Sequence, residues 1–207
     1  TDFSPQSISL LFSLIDHKCI IVPINRNNKS KNEDLYEIAQ VKYIFRINSK
    51  EVITIKKRVK TSKNKYYKTI NDRGNPGLVL FSSGTSGAPK AAVHDFSALL
   101  KKFQTKRKSL RTLNFLLFDH WGGLNTMFHI LSNGGTLISL SNRTPKKVCE
   151  LIEQHSIELL PVSPTFLNFL LISGSYKNYN LESLKIISYG TEPMPNTTLR
   201  RLNRIFP

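Results

Sequence analysis

The chain has 207 residues, 40% hydrophobic and 21% charged, which permits a sizeable core and excludes a disordered or fibrous chain. No apolar run approaches the roughly 20 residues needed to span a bilayer, and the opening TDFSPQSISLLFSLIDH lacks the basic region of a secretory signal. Thirty Lys/Arg against 14 Asp/Glu give a net charge of +16, yet no RRM, zinc-finger or basic-zipper pattern accompanies it, so the charge implies no specific nucleic-acid partner.

In chain order, apolar runs predict strands at 19–24, 41–47, 51–57, 77–83, 113–118, 135–140, 157–163 and 184–190. Between them, helical spacing predicts helices over 5–17, 31–40, 96–108, 122–132, 145–156, 164–173 and 195–206. Pro145, Pro164 and Pro195 stand near helix starts, where the missing N–H costs nothing. Strands alternating with helices call for parallel pairing through crossover helices, an α/β class of mostly parallel sheets flanked by helices. The polar stretch 58–75, ending in the Gly74-Asn75-Pro76-Gly77 turn, reads as a loop or internal boundary, dividing the chain into 1–75 and 76–207.

The basic excess is uneven. Six Lys/Arg of 101–111 occur with no acid between them. On the expected helix, Lys101, Lys102, Lys106 and Lys108 do not share one face, whereas Phe96, Leu99, Leu100 and Phe103 do. This is a helix packed on a sheet beneath a solvated basic surface. Cys19 and Cys149 have no metal-ligand spacing and read as buried thiols of a reducing, cytoplasmic compartment.

One stretch carries chemistry. The buried strand GLVLF runs into SSGTSGAPK, residues 82–90. Gly84 and Gly87 let the backbone approach a ligand closely, Ser82, Ser83, Thr85 and Ser86 add hydroxyl donors, and Lys90 adds an ammonium. A concave row of donors with one cation suits polyphosphate oxygens. It is not a Walker loop, because Pro89 precedes the lysine and Ala91 follows it.

SSGTSGAPKAAVH resembles the phosphate-binding loop of the adenylate-forming (AMP-binding) superfamily: acyl-CoA synthetases, luciferases and nonribosomal-peptide adenylation domains. The form [FY]-[ST]-S-G-[ST]-[ST]-G-x-P-K-G is met except at Ala91, where the family has glycine. FDHWGGLNTMFHILSNGGTLISL resembles the H-x-x-G segment and the strand after it, and KKVCELIEQHSIELLPVSPTFLNFLL the helix, V-P-T strand and helix that follow. LESLKIISYGTEPMPNTTLRRLNRIFP is similar to the family's later strand, Gly-Glu-Pro tripeptide and amphipathic helix.

The resemblance implies part of the large N-terminal domain of a ligase that activates an acyl or aryl acid as its adenylate, with ATP and Mg2+, for transfer to coenzyme A or a carrier-protein thiol. Carried over by motif, Ser82, Ser83, Gly84, Thr85, Ser86, Gly87 and Lys90 hold the phosphates, with Thr85 the one candidate metal ligand. Gly190, Thr191, Glu192 and Pro193 lie along the adenine, although Thr191 replaces a small residue. The same YGTE is also similar to a later Y-G-x-T-E motif whose glutamate holds magnesium, but that motif has one more residue before its threonine. His120 matches the H-x-x-G histidine near the acid and the α-phosphate, and His120, Trp121 and Gly122 would border the acyl pocket. Read blandly, Trp121 is packing at a helix start and His120 caps a strand. Nothing in 1–207 matches the family's ribose aspartate, Y-G-x-T-E motif or C-terminal lysine. The expectation is therefore a fragment inactive alone, or a remnant that binds nucleotide or another anion without turnover.

Overall fold

Residue patterns and local caps build two compact units, residues 1–105 with 117–124, and residues 106–116 with 125–207. The structure is a computed structural model that describes residues 2–24, 29–58, 62–83 and 89–206, with the side chains at 29–31 and 83 outside the description.

The first unit opens with α1, Pro5–Asp16, started by a reciprocal cap: Ser7 N donates to Ser4 Oγ and Ser4 N donates to Ser7 Oγ. There follow β1 (Ile20–Ile21), α2 (Lys29–Ile38), β2 (Tyr43–Ile47), β3 (Ile53–Lys57) and α3 (Lys65–Asp72). Next come β4 (Gly77–Ser83), β5 (Pro89–Asp95), α4 (Phe96–Leu100) and a 3-10 turn over Lys101–Gln104. β4 is the centre of a three-stranded sheet, parallel to β1 and antiparallel to β5. Leu78 and Val79 of β4 are fully buried. A Cβ on Gly77 would meet Cδ1 of Ile20, the movable end of that side chain, so a larger residue there would require Ile20 to shift.

The second unit contains β6 (Arg111–Leu113), β7 (Thr136–Ile138), α6 (Pro145–His155), β8 (Leu159–Val162), α7 (Pro164–Ser173), β9 (Ile186–Tyr189) and α8 (Asn196–Ile205). Between β6 and β7 lies α5 (Trp121–Ser132), whose first turn belongs to the first unit and the remainder to the second. The strands form one parallel sheet in the order β7-β6-β8-β9. Thr144 and Ser163 cap α6 and α7, accepting from Lys147 N and Phe166 N, and Pro145 and Pro164 occupy first positions as expected. Pro195 instead stands at the N-cap of α8. Leu113, Ile152, Ile157, Leu160 and Leu167 form the centre of the core and are fully buried. Among the described residues no helix is long and apolar enough to cross a membrane.

The α/β reading and the parallel pairing hold in the second unit, while the first adds two antiparallel hairpins, β2–β3 and β4–β5. Short connections cannot carry a strand back to a parallel start, so adjacent strands joined by them must reverse. The stretch 58–75 is not a loop: Asn64 caps α3, which buries Tyr67 and Ile70, and Tyr67 Oη donates to Ala39 O at 2.9 Å. Nor does the chain divide at 75–76, because β1 and β4 pair across that point. The helix expected over 96–108 ends its α-helical turns at Leu100, and Thr105 is already extended. The strand expected over 113–118 stops at Leu113.

Candidate functional site

The phosphate-loop sequence sits at the end of a ladder. β4 and β5 pair from Gly77↔Asp95 to Ser83↔Pro89, which sets Ser82 opposite Lys90. Both are exposed. Gly84, Thr85, Ser86 and Gly87 lie outside the described residues. The base of the hairpin is clamped by Asp95: its Oδ1 accepts from Ala98 N at 3.3 Å, capping α4, and its Oδ2 accepts from Asn75 Nδ2 at 2.9 Å. Phe96 N donates to Pro76 O at 2.9 Å. The strand β5 was not foreseen, because PKAAVHD has only Ala and Val as apolar members and follows the glycines without a pause.

In the same unit, His120 exposes 62% of its side chain, with Nε2 3.9 Å from Asp119 Oδ1. That separation is an ion-pair distance for a protonated imidazole and too long for a hydrogen bond. Trp121 and Gly122 begin the helix that follows and are half-buried. Lys102 joins this group: its ammonium lies 5.2 Å from the centre of the Trp121 ring and 5.0 Å from that of Phe103. Sequence reasoning placed Lys102 only in a solvated basic cluster. The signal available was the single tryptophan and a lysine just after the phosphate segment, and nothing local connects them.

The tripeptide region belongs to the second unit. β9 ends at Tyr189, and Gly190, Thr191, Glu192 and Pro193 follow it, all exposed. Thr191 has φ +71°, the left-handed region that a β-branched residue rarely enters. This backbone conformation would suit a smaller residue, glycine above all. The Glu192 carboxylate is anchored at the start of α7: Oε2 accepts from Thr165 N at 3.1 Å and from Thr165 Oγ1 at 2.5 Å. A carboxylate is favoured there by the free N–H groups of the helix end. Thr165 is a second residue the sequence did not single out.

Other chemistry is sparse. Among the described residues no group of three or more His, Cys, Asp or Glu stands ready to hold a metal ion. A cavity of about 1410 Å³ in the first unit is bordered by Leu11, Tyr36, Ile44 and Tyr67 and takes in none of Ser82, Lys90, His120 or Trp121. Burial pushes the Cys149 thiol up to about 11 and raises that of Cys19 as well, which keeps both protonated at neutral pH.

The family model described as AMP-binding enzyme matches residues 1–207. The 4-chlorobenzoate–CoA ligase of Pseudomonas sp. (strain CBS-3) is 28% identical over 140 residues, covering 63% of this chain and 26% of that protein. Of solved structures, the luciferase-like enzyme from the mealworm Zophobas morio aligns with a TM-score of 0.55 at 25% identity, over 63% of this chain and 32% of that one. The o-succinylbenzoate CoA synthetase of Bacillus subtilis, in complex with its acyl-adenylate intermediate, aligns with a TM-score of 0.51 at 26% identity, over 63% of this chain and 28% of that one. The chain thus spans about a quarter to a third of the length of these relatives. With its whole length matched by the family model, the chain belongs to the AMP-binding enzyme family.

Proposed function

We propose that this chain forms the nucleotide-binding part of an ATP-dependent acid ligase. The ligase activates an acyl or aryl acid as its adenylate, releasing pyrophosphate, for transfer to a thiol such as that of coenzyme A or a carrier protein. The observation that carries the reading is the β4–β5 register, which sets Ser82 across from Lys90 where the glycine- and hydroxyl-rich connection leaves the ladder. Charge builds on phosphoryl oxygens as a carboxylate attacks the α-phosphorus, and donors fixed before the reaction stabilise it without reorganising.

In this reading Ser82, Ser83, Gly84, Thr85, Ser86, Gly87 and Lys90 hold the β- and γ-phosphates. These groups suit phosphate oxygens better than a bare cation, so magnesium would arrive with the nucleotide and keep several waters, Thr85 being its candidate protein ligand. Gly190, Thr191, Glu192 and Pro193 lie along the adenine. Glu192 holds that strip in place through its two hydrogen bonds from Thr165 rather than binding magnesium, because the magnesium motif it resembles has one more residue before its threonine. His120, with Trp121 and Gly122, borders the acid. Ligases of 4-chlorobenzoate and o-succinylbenzoate among the relatives favour an aryl acid.

Calorimetry with Mg-ATP and with pyrophosphate tests the reading. Lys90→Ala removes a charge-assisted hydrogen bond worth about 1.5–3 kcal/mol and is expected to weaken both ligands by more than about tenfold. Unchanged affinity would take the hairpin out of the site.

A further inference from the structure

Lys102 is held in an unusual way for a residue of a basic cluster. Its ammonium faces two rings, Trp121 at 5.2 Å and Phe103 at 5.0 Å, and among the described residues it has no carboxylate partner. Ring faces attract an ammonium through their quadrupole but leave its charge unneutralised. The side chain is exposed, so its N–H donors stay open to an anion. Its position is also set by the fold: the 3-10 turn that carries it follows α4 directly, and α4 is capped by Asp95 at the foot of the phosphate hairpin. Trp121, on the other side of the contact, is the residue after His120.

We propose that Lys102 is a specificity-determining residue, which selects an aromatic acid carrying a second anionic group away from the carboxylate that reacts. The proposal rests on the reading that His120, Trp121 and Gly122 border the acid. The chemistry of adenylate formation separates the two anionic groups. The reacting carboxylate gives up its charge as its oxygen bonds to the α-phosphorus and pyrophosphate leaves. A cation gripping that carboxylate would hold the substrate more tightly than the transition state and oppose the step. A cation gripping a group that stays charged throughout is free of this conflict. The indole beside it offers a flat apolar surface for the ring that joins the two groups. A substrate with one carboxylate would leave the ammonium to water and gain nothing from it.

The single tryptophan makes the test direct, since Trp121 fluorescence reports occupancy without any turnover. Benzoate and terephthalate, the same ring with one and two carboxylates, are titrated against the whole chain, its Lys102→Met and its Lys102→Arg variants. Terephthalate is expected to bind the unaltered chain about tenfold more tightly than benzoate, through one added charge-assisted hydrogen bond. Lys102→Met is expected to erase that preference while keeping benzoate affinity and the melting temperature, and Lys102→Arg to restore it. Equal affinities in the unaltered chain, a preference that survives in Lys102→Met, or no saturable quenching by either acid would each overturn the proposal. ATP binding measured in parallel separates the two readings. A chain that prefers terephthalate but does not bind ATP keeps Lys102 and loses the ligase. A chain that binds ATP without the preference does the reverse.

Discussion

The parallel sheet of the second unit and the β2–β3 hairpin of the first are built from similar residues, yet they bury them very differently. β8 has strands on both sides and keeps Leu160 and Val162 out of solvent altogether. β3 has the single neighbour β2, and each of its residues is exposed, with Ile55 at 62% and Val52 just before it at 53%. A strand between two others, with helices on its faces, is covered by its own unit. The two-stranded ribbon has no further strand to cover it, and of its residues only Ile44 and Ile47 of β2 are buried. The difference teaches that the stabilising burial of this chain is concentrated away from the residues proposed to meet ligand. Ser82, Lys90, His120 and Lys102 are exposed groups carried on frames that are themselves packed, an arrangement expected of binding segments.

The comparison breaks first, if it breaks, at the sheet cores. Leu160→Ala is expected to cost about 2–5 kcal/mol through lost burial and a residual cavity. Ile55→Ala on β3 should stay within about 0.5 kcal/mol, as at ordinary surface positions. Urea denaturation of both variants measures the contrast, and similar losses would mean that β3 is covered in solution.

The next effect is a pH dependence seated in the same core. Burial raises the Cys149 thiol from 9.0 to about 11, so the folded chain holds this proton more tightly than the unfolded one. The resulting stability is complete below about pH 9 and is lost as pH rises through about 11, a change of roughly 2–3 kcal/mol by linkage. Stability measured from pH 8 to 11 should fall more steeply in the unaltered chain than in Cys149→Ala, and parallel curves would show the thiol to be solvated.

Smaller still is the strain after β9. Thr191→Gly places a residue without a Cβ at φ +71° and is expected to stabilise the second unit by about 1 kcal/mol. A loss of stability would mean that the threonine side chain makes contacts outweighing the strain. Least of all is expected from the basic cluster. Lys106→Gln, Arg107→Gln and Lys108→Gln combined should change stability by no more than about 0.5 kcal/mol and leave ATP affinity unaltered. A large fall in affinity at constant melting temperature would bring the cluster into the site.

What the sequence determined by itself was whatever depends on nearest neighbours and period. The prolines at the starts of α6 and α7 and the apolar runs of the parallel sheet act within a few residues, so their pattern can be read along the chain. The phosphate segment was legible for the same reason, since its glycines, hydroxyls and lysine are contiguous. Only the tertiary structure decided the remainder. The Lys- and Asn-rich segment around Tyr67 is a helix that buries Tyr67 and Ile70, with the tyrosine hydroxyl donating to Ala39 O, 28 residues away in the chain. The segment after Lys90 became a strand because β4 supplies its ladder. Lys102 met Trp121, and Thr165 met Glu192, across gaps that no local rule spans. Propensity and spacing are sums over adjacent residues, whereas these contacts exist only once the chain has folded back on itself, and it is there that charge and ring, or carboxylate and helix end, find each other.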